Sequence, residues 1–220
     1  MARMEVSREG NGVESRPSRA SVGRLSLYLR RLEDLEREGS ATVSSVQLGD
    51  GVGVTDAQVR KDLAHIGSLG QPGIGYPTHE LNAAIRRVLG LDREWAVAVV
   101  GIGNLSRALL RYRGFPQRGF RIVALFDTDA SKVGQCLDGL TIHSLEQLPE
   151  VLAECKAELG LVAVPAEAAQ KVADALVAAG IRGLLNFAPV VLRLPPNVNL
   201  VSVDLTVQLE QLAFLVQMGA

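Results

Sequence analysis

The stretch VAVVGIGNLSRA, Val97 to Ala108, decides how the rest of the chain is read. Trp95 to Val100 is a short unbroken apolar run with three valines, the pattern of a strand buried on both faces of a parallel sheet. It ends at Gly101-Ile102-Gly103, and Asn104-Leu105 open a helix. Glycines at such a turn let the backbone approach a pyrophosphate, while the helix N-terminus points free N–H groups and a positive partial charge at it. Arg121 to Phe126 then forms a second apolar strand ending at Asp127. A carboxylate there accepts hydrogen bonds from an adenosine ribose diol and repels a 2′-phosphate, which favours NAD(H) over NADP(H). A mononucleotide-type βαβ unit shares the strand, turn and helix; the acidic residue at the second strand argues for the dinucleotide. The third glycine position of the G-x-G-x-x-G fingerprint is Ser106. Its hydroxymethyl group either pushes the helix from Asn104 to Tyr112 off the strand or turns toward the phosphates. The first is expected, because the glycine's usual job there is close helix packing.

Downstream, strands at Gly139 to Ile142, Leu159 to Val164, Ile181 to Leu185 and Val198 to Val203 alternate with helices. One helix runs from the capping box Ser144 to Gln147 as far as about Glu158, the next from Ala166 to Ala179. Such alternation gives a parallel sheet covered on both faces, with its ligand outside the carboxyl ends of the strands. Gly101 to Leu105, Asp127, Val164-Pro165 and Asn186-Phe187 all fall at that edge. The last helix, from Asp204 to Met218, carries Leu205, Leu209, Leu212, Leu215 and Val216. An apolar face of that kind needs a partner surface, on its own sheet or on a second chain.

The first part of the chain has a different period. Val22, Leu25, Leu29, Leu32 and Leu35 form one face of a helix from Ser18 to about Glu38, stopped by Gly39. Its arginines, Arg24 and Arg30 among them, read as a solvated face. Capping boxes at Ser44-Ser45-Val46-Gln47 and Thr55-Asp56-Ala57-Gln58 mark two short helices, the first ending near Gly49. The second buries Val59, Leu63 and Ile66 and offers Gln58, Arg60 and Lys61 outward at its leading end. That is helix-turn-helix organisation, and such side chains reach base edges and phosphates in a major groove. Gly70 to Pro77 holds three glycines and two prolines and reads as a β-ribbon tip, a wing presenting Gly73, Gly75 and Tyr76. Thr78 then caps a further helix with Leu81, Ile85, Val88 and Leu89 on its apolar face. A small helical bundle without a nucleic-acid role is the alternative to a winged helix.

The expected organisation is therefore α/β: a disordered arm over 1–17, a winged helix-turn-helix domain over 18–90, a Rossmann-like parallel-sheet domain over 91–203, and a C-terminal helix over 204–220. The 220 residues are 47% hydrophobic and 21% charged, enough to bury a core. A formal net charge of −1 gives no bulk attraction to nucleic acid, so DNA binding must come from a local patch. Cys136 and Cys155 lack metal-ligand spacing. The chain has neither an apolar signal region nor a run of about 18 apolar residues, so a cytoplasmic protein is expected. His65, His79 and His143 all fall away from the sheet's carboxyl edge, so no acid or base is set against the nucleotide. A dinucleotide site without acid, base or metal is a sensor's site. Two rivals remain: an NAD-dependent oxidoreductase with an N-terminal helical domain, and a CoA- or nucleotide-binding interaction module.

Several motifs together resemble the Rex family of redox-sensing transcriptional repressors, from about Ser18 to the C-terminal helix. They are Val59-Arg60-Lys61-Asp62-Leu63, Gly70-x-x-Gly73-x-Gly75-Tyr76, Gly101-x-Gly103-Asn104-Leu105, Phe126-Asp127, Pro165-x-x-x-Ala169-Gln170 and Gly183-x-x-Asn186-Phe187-Ala188-Pro189. The resemblance implies a homodimer with exchanged C-terminal helices whose winged helices bind an inverted-repeat operator on double-stranded DNA. It also implies that NADH releases the operator while NAD+ competes weakly. Arg30, Tyr112 and Asp204 match by position the family's switch residues, whose polar contacts change between the DNA-bound and NADH-bound states. Ser106 departs from the pattern, as does Leu205, which follows Asp204 where a Phe is expected.

Overall fold

The computed structural model describes residues 17–67 and 69–219; apart from Pro17, the expected N-terminal arm lies outside them. The chain divides between Asp92 and Arg93 into two compact units.

In the first unit, α1 (Arg19–Arg37) starts at Ser18, whose hydroxyl accepts the Ser21 N–H at 3.1 Å. It buries Leu25, Tyr28, Leu29, Leu32 and Leu35 in one core with residues of α2 (Ser45–Val52), α3 (Asp56–Leu63) and α4 (Thr78–Val88). Val22, expected on that face, is exposed, and Tyr28 is buried in the core instead. The first helix of the helix-turn-helix does not stop near Gly49: it continues through Gly49 and Gly51 to Val52 and ends at Gly53 in the left-handed region. Gly49 is needed inside it, because a Cβ there would press on the Val54 carbonyl oxygen of the turn. That approach lets α3 follow closely. A two-stranded ribbon pairs β1 (Thr42–Val43) with β2 (Tyr76–Pro77), antiparallel. Thr78 is the first residue of α4 rather than its cap, and its hydroxyl is buried without a hydrogen-bond partner.

The second unit contains β3 (Trp95–Val100), α5 (Asn104–Leu110), α6 (Gly114–Gln117), β4 (Phe120–Phe126), β5 (Cys136–Leu137) and β6 (Leu140–His143). A 3-10 turn at Leu145–Gln147 leads into α7 (Leu148–Cys155), β7 (Leu159–Val162), α8 (Ala166–Ala178), β8 (Gly183–Asn186), β9 (Asn199–Ser202) and α9 (Leu205–Met218). The strand order is β5-β6-β4-β3-β7-β8-β9. All neighbours are parallel except β5, which adds to the edge of β6 antiparallel. Leu148 and Leu152 of α7 and Ala169 to Leu176 of α8 cover one face. Leu109 and Leu110 of α5 pack on the other. Strand order reverses at β3, so the switch point of the sheet lies at Gly101. Most boundaries move from their expected places by one or two residues, and two moves have a visible cause or consequence. α7 stops at Cys155 because Lys156 turns left-handed (φ 52°), and β7 ends at Val162, leaving Ala163 and Val164 to the turn.

Candidate functional site

At the switch point Gly101 has φ 92°, and a Cβ there would meet the Ala163 carbonyl oxygen and Val164 Cγ1. Glycine is required by conformation and by contact. Gly103 is the N-cap of α5, no side chain caps that end, and a Cβ on Gly103 would project into open space. The first-turn N–H groups of α5 lack intrahelical acceptors, with Gly103, Asn104 and Leu105 exposed beside them. A turn whose two glycines carry no Cβ, faced by free donors, fits a dinucleotide pyrophosphate.

Asp127, directly after β4, is only 6% exposed. Its Oδ2 accepts the Ile102 N–H at 2.7 Å and the Lys132 ammonium at 2.9 Å, while Oδ1 accepts the Asp129 N–H at 2.9 Å. Burial pushes this carboxyl up, but the Asp129 amide, the Lys132 ammonium and the Ile102 amide outweigh it and hold it below the usual carboxylate range. Asp127 is thus a brace between the glycine turn and the end of β4, with one Oδ1 lone pair not taken by these three donors. Lys132 is a neighbour that the sequence reading passed over. Its signal is the Asp127-x-Asp129-x-x-Lys132 spacing, which folds a lysine back onto the strand-end carboxylate.

Ser106 does not turn toward the exposed end of the turn. It is fully buried, and its hydroxyl donates to the Gly101 carbonyl behind the turn. A hydroxyl so placed does not face a ligand over the exposed Gly103–Asn104 end. Asn186 also departs from expectation. It is fully buried; its Nδ2 donates to the Ala188 and Val190 carbonyls at 3.0 and 3.1 Å, and its Oδ1 accepts the Ala188 N–H at 2.9 Å. Asn186 thereby holds the loop carrying Phe187. The edge therefore brings Gly101, Ile102, Asp127 and Val164 into contact. Pro165, the N-cap of α8, is exposed beyond the end of β7, and Phe187 is half-buried at the end of β8.

In the first unit, Ser44 and Gln47 form the full reciprocal cap of α2, with Ser44 Oγ accepting the Gln47 N–H at 3.1 Å and the Ser44 N–H donating to Gln47 Oε1 at 2.9 Å. The second box is half made. Thr55 Oγ1 accepts the Gln58 N–H at 3.2 Å, but the Gln58 amide does not point outward as expected; it donates to the buried Asp62 carboxylate at 3.0 Å. Arg60 is exposed and held from two sides, by Asp56 at 2.6 Å and by the Ser45 hydroxyl at 3.2 Å. Lys61 next to it is exposed. At the wing, Gln71 and Gly75 exchange backbone hydrogen bonds of 2.8 and 2.9 Å, and Gly73 and Gly75 take φ of 79° and 99°. Tyr76 is half-buried, its ring lying where a Cβ on Gly70 would be.

The three residues matched to a switch sit in three settings. Arg30 is exposed on α1. Tyr112 is exposed, edge-on to Phe115 at 5.2 Å, with its ring over Gly114. Asp204 caps α9, one oxygen accepting the Thr206 and Val207 N–H groups at 2.9 and 3.3 Å. Among the described residues no cluster of His, Cys, Asp and Glu could hold a metal ion, and no helix is long and apolar enough to cross a membrane.

Residues 92–190 match a family described as a CoA binding domain, and residues 18–64 one described as the N-terminus of a DNA-binding protein. A redox-sensing transcriptional repressor Rex of Desulfitobacterium hafniense is 47% identical over 89% of this chain and 93% of its own. The Rex of Carboxydothermus hydrogenoformans is 51% identical over 89% of this chain and 94% of its own. Among solved structures, RSP in complex with β-NAD+ and operator DNA matches with a TM-score of 0.87 at 33% identity, covering 92% of this chain and 93% of that one. RSP in complex with β-NADH matches with a TM-score of 0.82 at 32% identity, covering 92% and 95%.

Proposed function

The chain belongs to the Rex family of redox-sensing transcriptional repressors, and we propose on that premise how its two units divide the work. The protein is a DNA-binding repressor rather than an enzyme, and it senses NADH against NAD+. The observation that carries the sensing is the glycine turn at the strand-order reversal, braced by Asp127 and uncapped at α5. NADH would lay its pyrophosphate over Gly101 to Leu105 and its adenosine ribose beside Asp127. Its nicotinamide end would reach the edge formed by Val164, Pro165 and Phe187. Val164, Pro165 and Phe187 supply no acid or base at the nicotinamide end, so binding itself is the signal. As a homodimer in the cytoplasm, the protein would hold an inverted-repeat operator with α3 of each subunit in successive major grooves. Arg30, Tyr112 and Asp204 would exchange polar partners as NADH replaces DNA. Linkage then requires the operator to weaken NADH binding by the same factor by which NADH weakens operator binding. Titrating NADH and NAD+ separately into the protein on labelled operator, read by anisotropy, tests this: NADH should release DNA at concentrations where NAD+ does not. Release by neither nucleotide would refute it.

Two side-chain predictions belong to this reading. Arg60→Ala should weaken operator binding by about 1–3 kcal/mol if the guanidinium reads a base bidentately, and Lys61→Ala by less and uniformly across sequences if it holds phosphate. Equal affinity of wild type and both variants would remove α3 from the groove. Asp127→Ala should weaken NADH binding by about 2 kcal/mol, roughly 30-fold, because the ribose loses a charged acceptor and the Ile102 amide loses its anchor. The Lys132 ammonium, 2.9 Å from the carboxylate, softens its repulsion of a 2′-phosphate. Lys132→Ala should therefore raise the preference for NADH over NADPH, and Asp127→Ala lower it. Calorimetric titration with both nucleotides checks the pair; wild type binding NADPH as tightly as NADH would place the ribose elsewhere.

A further inference from the structure

The wing carries no charged residue from Gly70 to Pro77, so it has no side-chain cation for a phosphate. It carries instead an isoleucine at its tip. Ile74 is 60% exposed and belongs to no core cluster, and it is flanked by Gly73 and Gly75, both at positive φ. The tip is stiff. Gln71 and Gly75 close it with two backbone hydrogen bonds, the Ile74 N–H adds a third to the Gln71 carbonyl at 3.1 Å, and a Cβ on Gly75 would strike the Val43 carbonyl oxygen and lie 3.3 Å from Ser44 Cα.

Those contacts also say which way the wing faces. The base of the tip packs on Ser44, the cap of α2; the next residue, Ser45, holds the guanidinium of Arg60 on α3. Wing tip, α2 N-terminus and the leading side chains of α3 therefore stand on one side of the unit. With α3 in a major groove, a rigid ribbon beside it meets the neighbouring minor groove. An apolar side chain suits that groove where it is lined by A·T pairs. The guanine amino group, which would obstruct it, is then absent, and aliphatic side chains are the ones that wedge against base edges there.

We propose that Ile74 is a minor-groove contact of the operator complex, giving the wing an apolar, salt-independent share of DNA binding and a preference for A·T pairs beneath it. The proposal rests on the operator-binding reading above, and the test separates the two. The probe is an inverted-repeat duplex selected by the wild-type protein from a randomised pool, with affinity followed by anisotropy across a series of KCl concentrations. Ile74→Ala should lower affinity about tenfold, from lost apolar contact, with the slope of log K against log [salt] unchanged. Lys61→Ala should make that slope shallower by about one for each subunit bound, and Ile74→Lys should steepen it by a similar amount, since the new cation lies at the backbone. Replacing A·T by G·C under the wing should weaken wild type more than Ile74→Ala. Ile74→Ala binding like wild type, or Ile74→Lys keeping the wild-type slope, would overturn the proposal while leaving operator binding intact. A wild-type protein that selects no duplex would overturn both.

Discussion

Asp62→Ala is expected to destabilise the N-terminal unit by about 3 kcal/mol, lowering its melting temperature by roughly 15 °C. Asp62 lies on α3 between Lys61 and Leu63 and is 1% exposed. Arg24 of α1 grips it with both nitrogens of its fork, Nε at 2.6 Å and Nη2 at 2.7 Å; the Tyr28 hydroxyl donates at 3.0 Å and the Gln58 amide at 3.0 Å. Removing the carboxylate leaves the Tyr28 phenol buried without its acceptor and the part-exposed Arg24 guanidinium without its anion, and the loss of partners costs more than the intact pair contributes. Burial pushes the Asp62 carboxyl up, but Arg24, Tyr28 and Ser21 outweigh it and bring its pKa from 3.8 down to about 2. The Tyr28 hydroxyl, buried beside that carboxylate, is pushed up to about 12. A carboxyl lowered by folding contributes its stability above its unfolded value and loses it as the pH falls through the folded one. The advantage of wild type over Asp62→Asn should therefore be full at pH 5 and shrink between about pH 4 and 2, by about 2 kcal/mol. Thermal melts of both proteins across that range measure it. A constant difference down to pH 2 would mean that Asp62 is not held as an ion.

The same network shows where a sequence stops being legible. Arg24 and Asp62 are 38 positions apart, and each taken alone belongs to a polar face of an amphipathic helix; only the crossing of α1 and α3 turns them into a buried pair. Gln58 is misread for the same reason. Its amide is expected to point outward at the leading end of α3, yet it donates to a buried anion one turn ahead. By contrast, the elements assigned to nucleotide binding were plain. The apolar run from Trp95 to Val100, the glycines after it and Asp127 at the end of the next strand are dictated by local rules, burial on two faces and a turn that only glycine allows. The roles of side chains around that turn were less plain. Asn186 and Ser106 are polar residues at a ligand-binding edge, and position alone suggests ligand contact; both instead satisfy backbone groups that the tight loops leave unpaired. Lys132 lay one turn beyond a recognised motif. The two-residue strand at Cys136–Leu137 is too short to show any period.

Truncation after Val203, removing residues 204–220, is expected to convert a dimer into monomers and to lower operator affinity by about two to three orders of magnitude, since two linked half-sites become independent. Every described residue of α9 is exposed within its own chain, with Leu209 at 65%, Phe214 at 60% and Val216 at 74%. A lone helix of this length is marginal in water, so its order implies a partner. The spacing identifies what kind. Leu205, Leu209, Leu212 and Val216 follow the 4-3-4 spacing of one helical stripe, the face legible in the sequence. Val207, Phe214 and Met218 form a second stripe about half a turn round, so α9 is apolar on opposite sides, with Gln208, Glu210, Gln211 and Gln217 between the stripes, and both sides need cover. Docking on a flat surface would cover one stripe; insertion into a groove of a second copy covers both. Leu209→Glu and Phe214→Glu, each burying a charge on a different side, should therefore both dissociate the dimer in light scattering, and each should weaken operator binding as the truncation does. Dissociation by Leu209→Glu alone would reduce the contact to a single face. A truncated protein that remained dimeric would show that the subunits are held elsewhere.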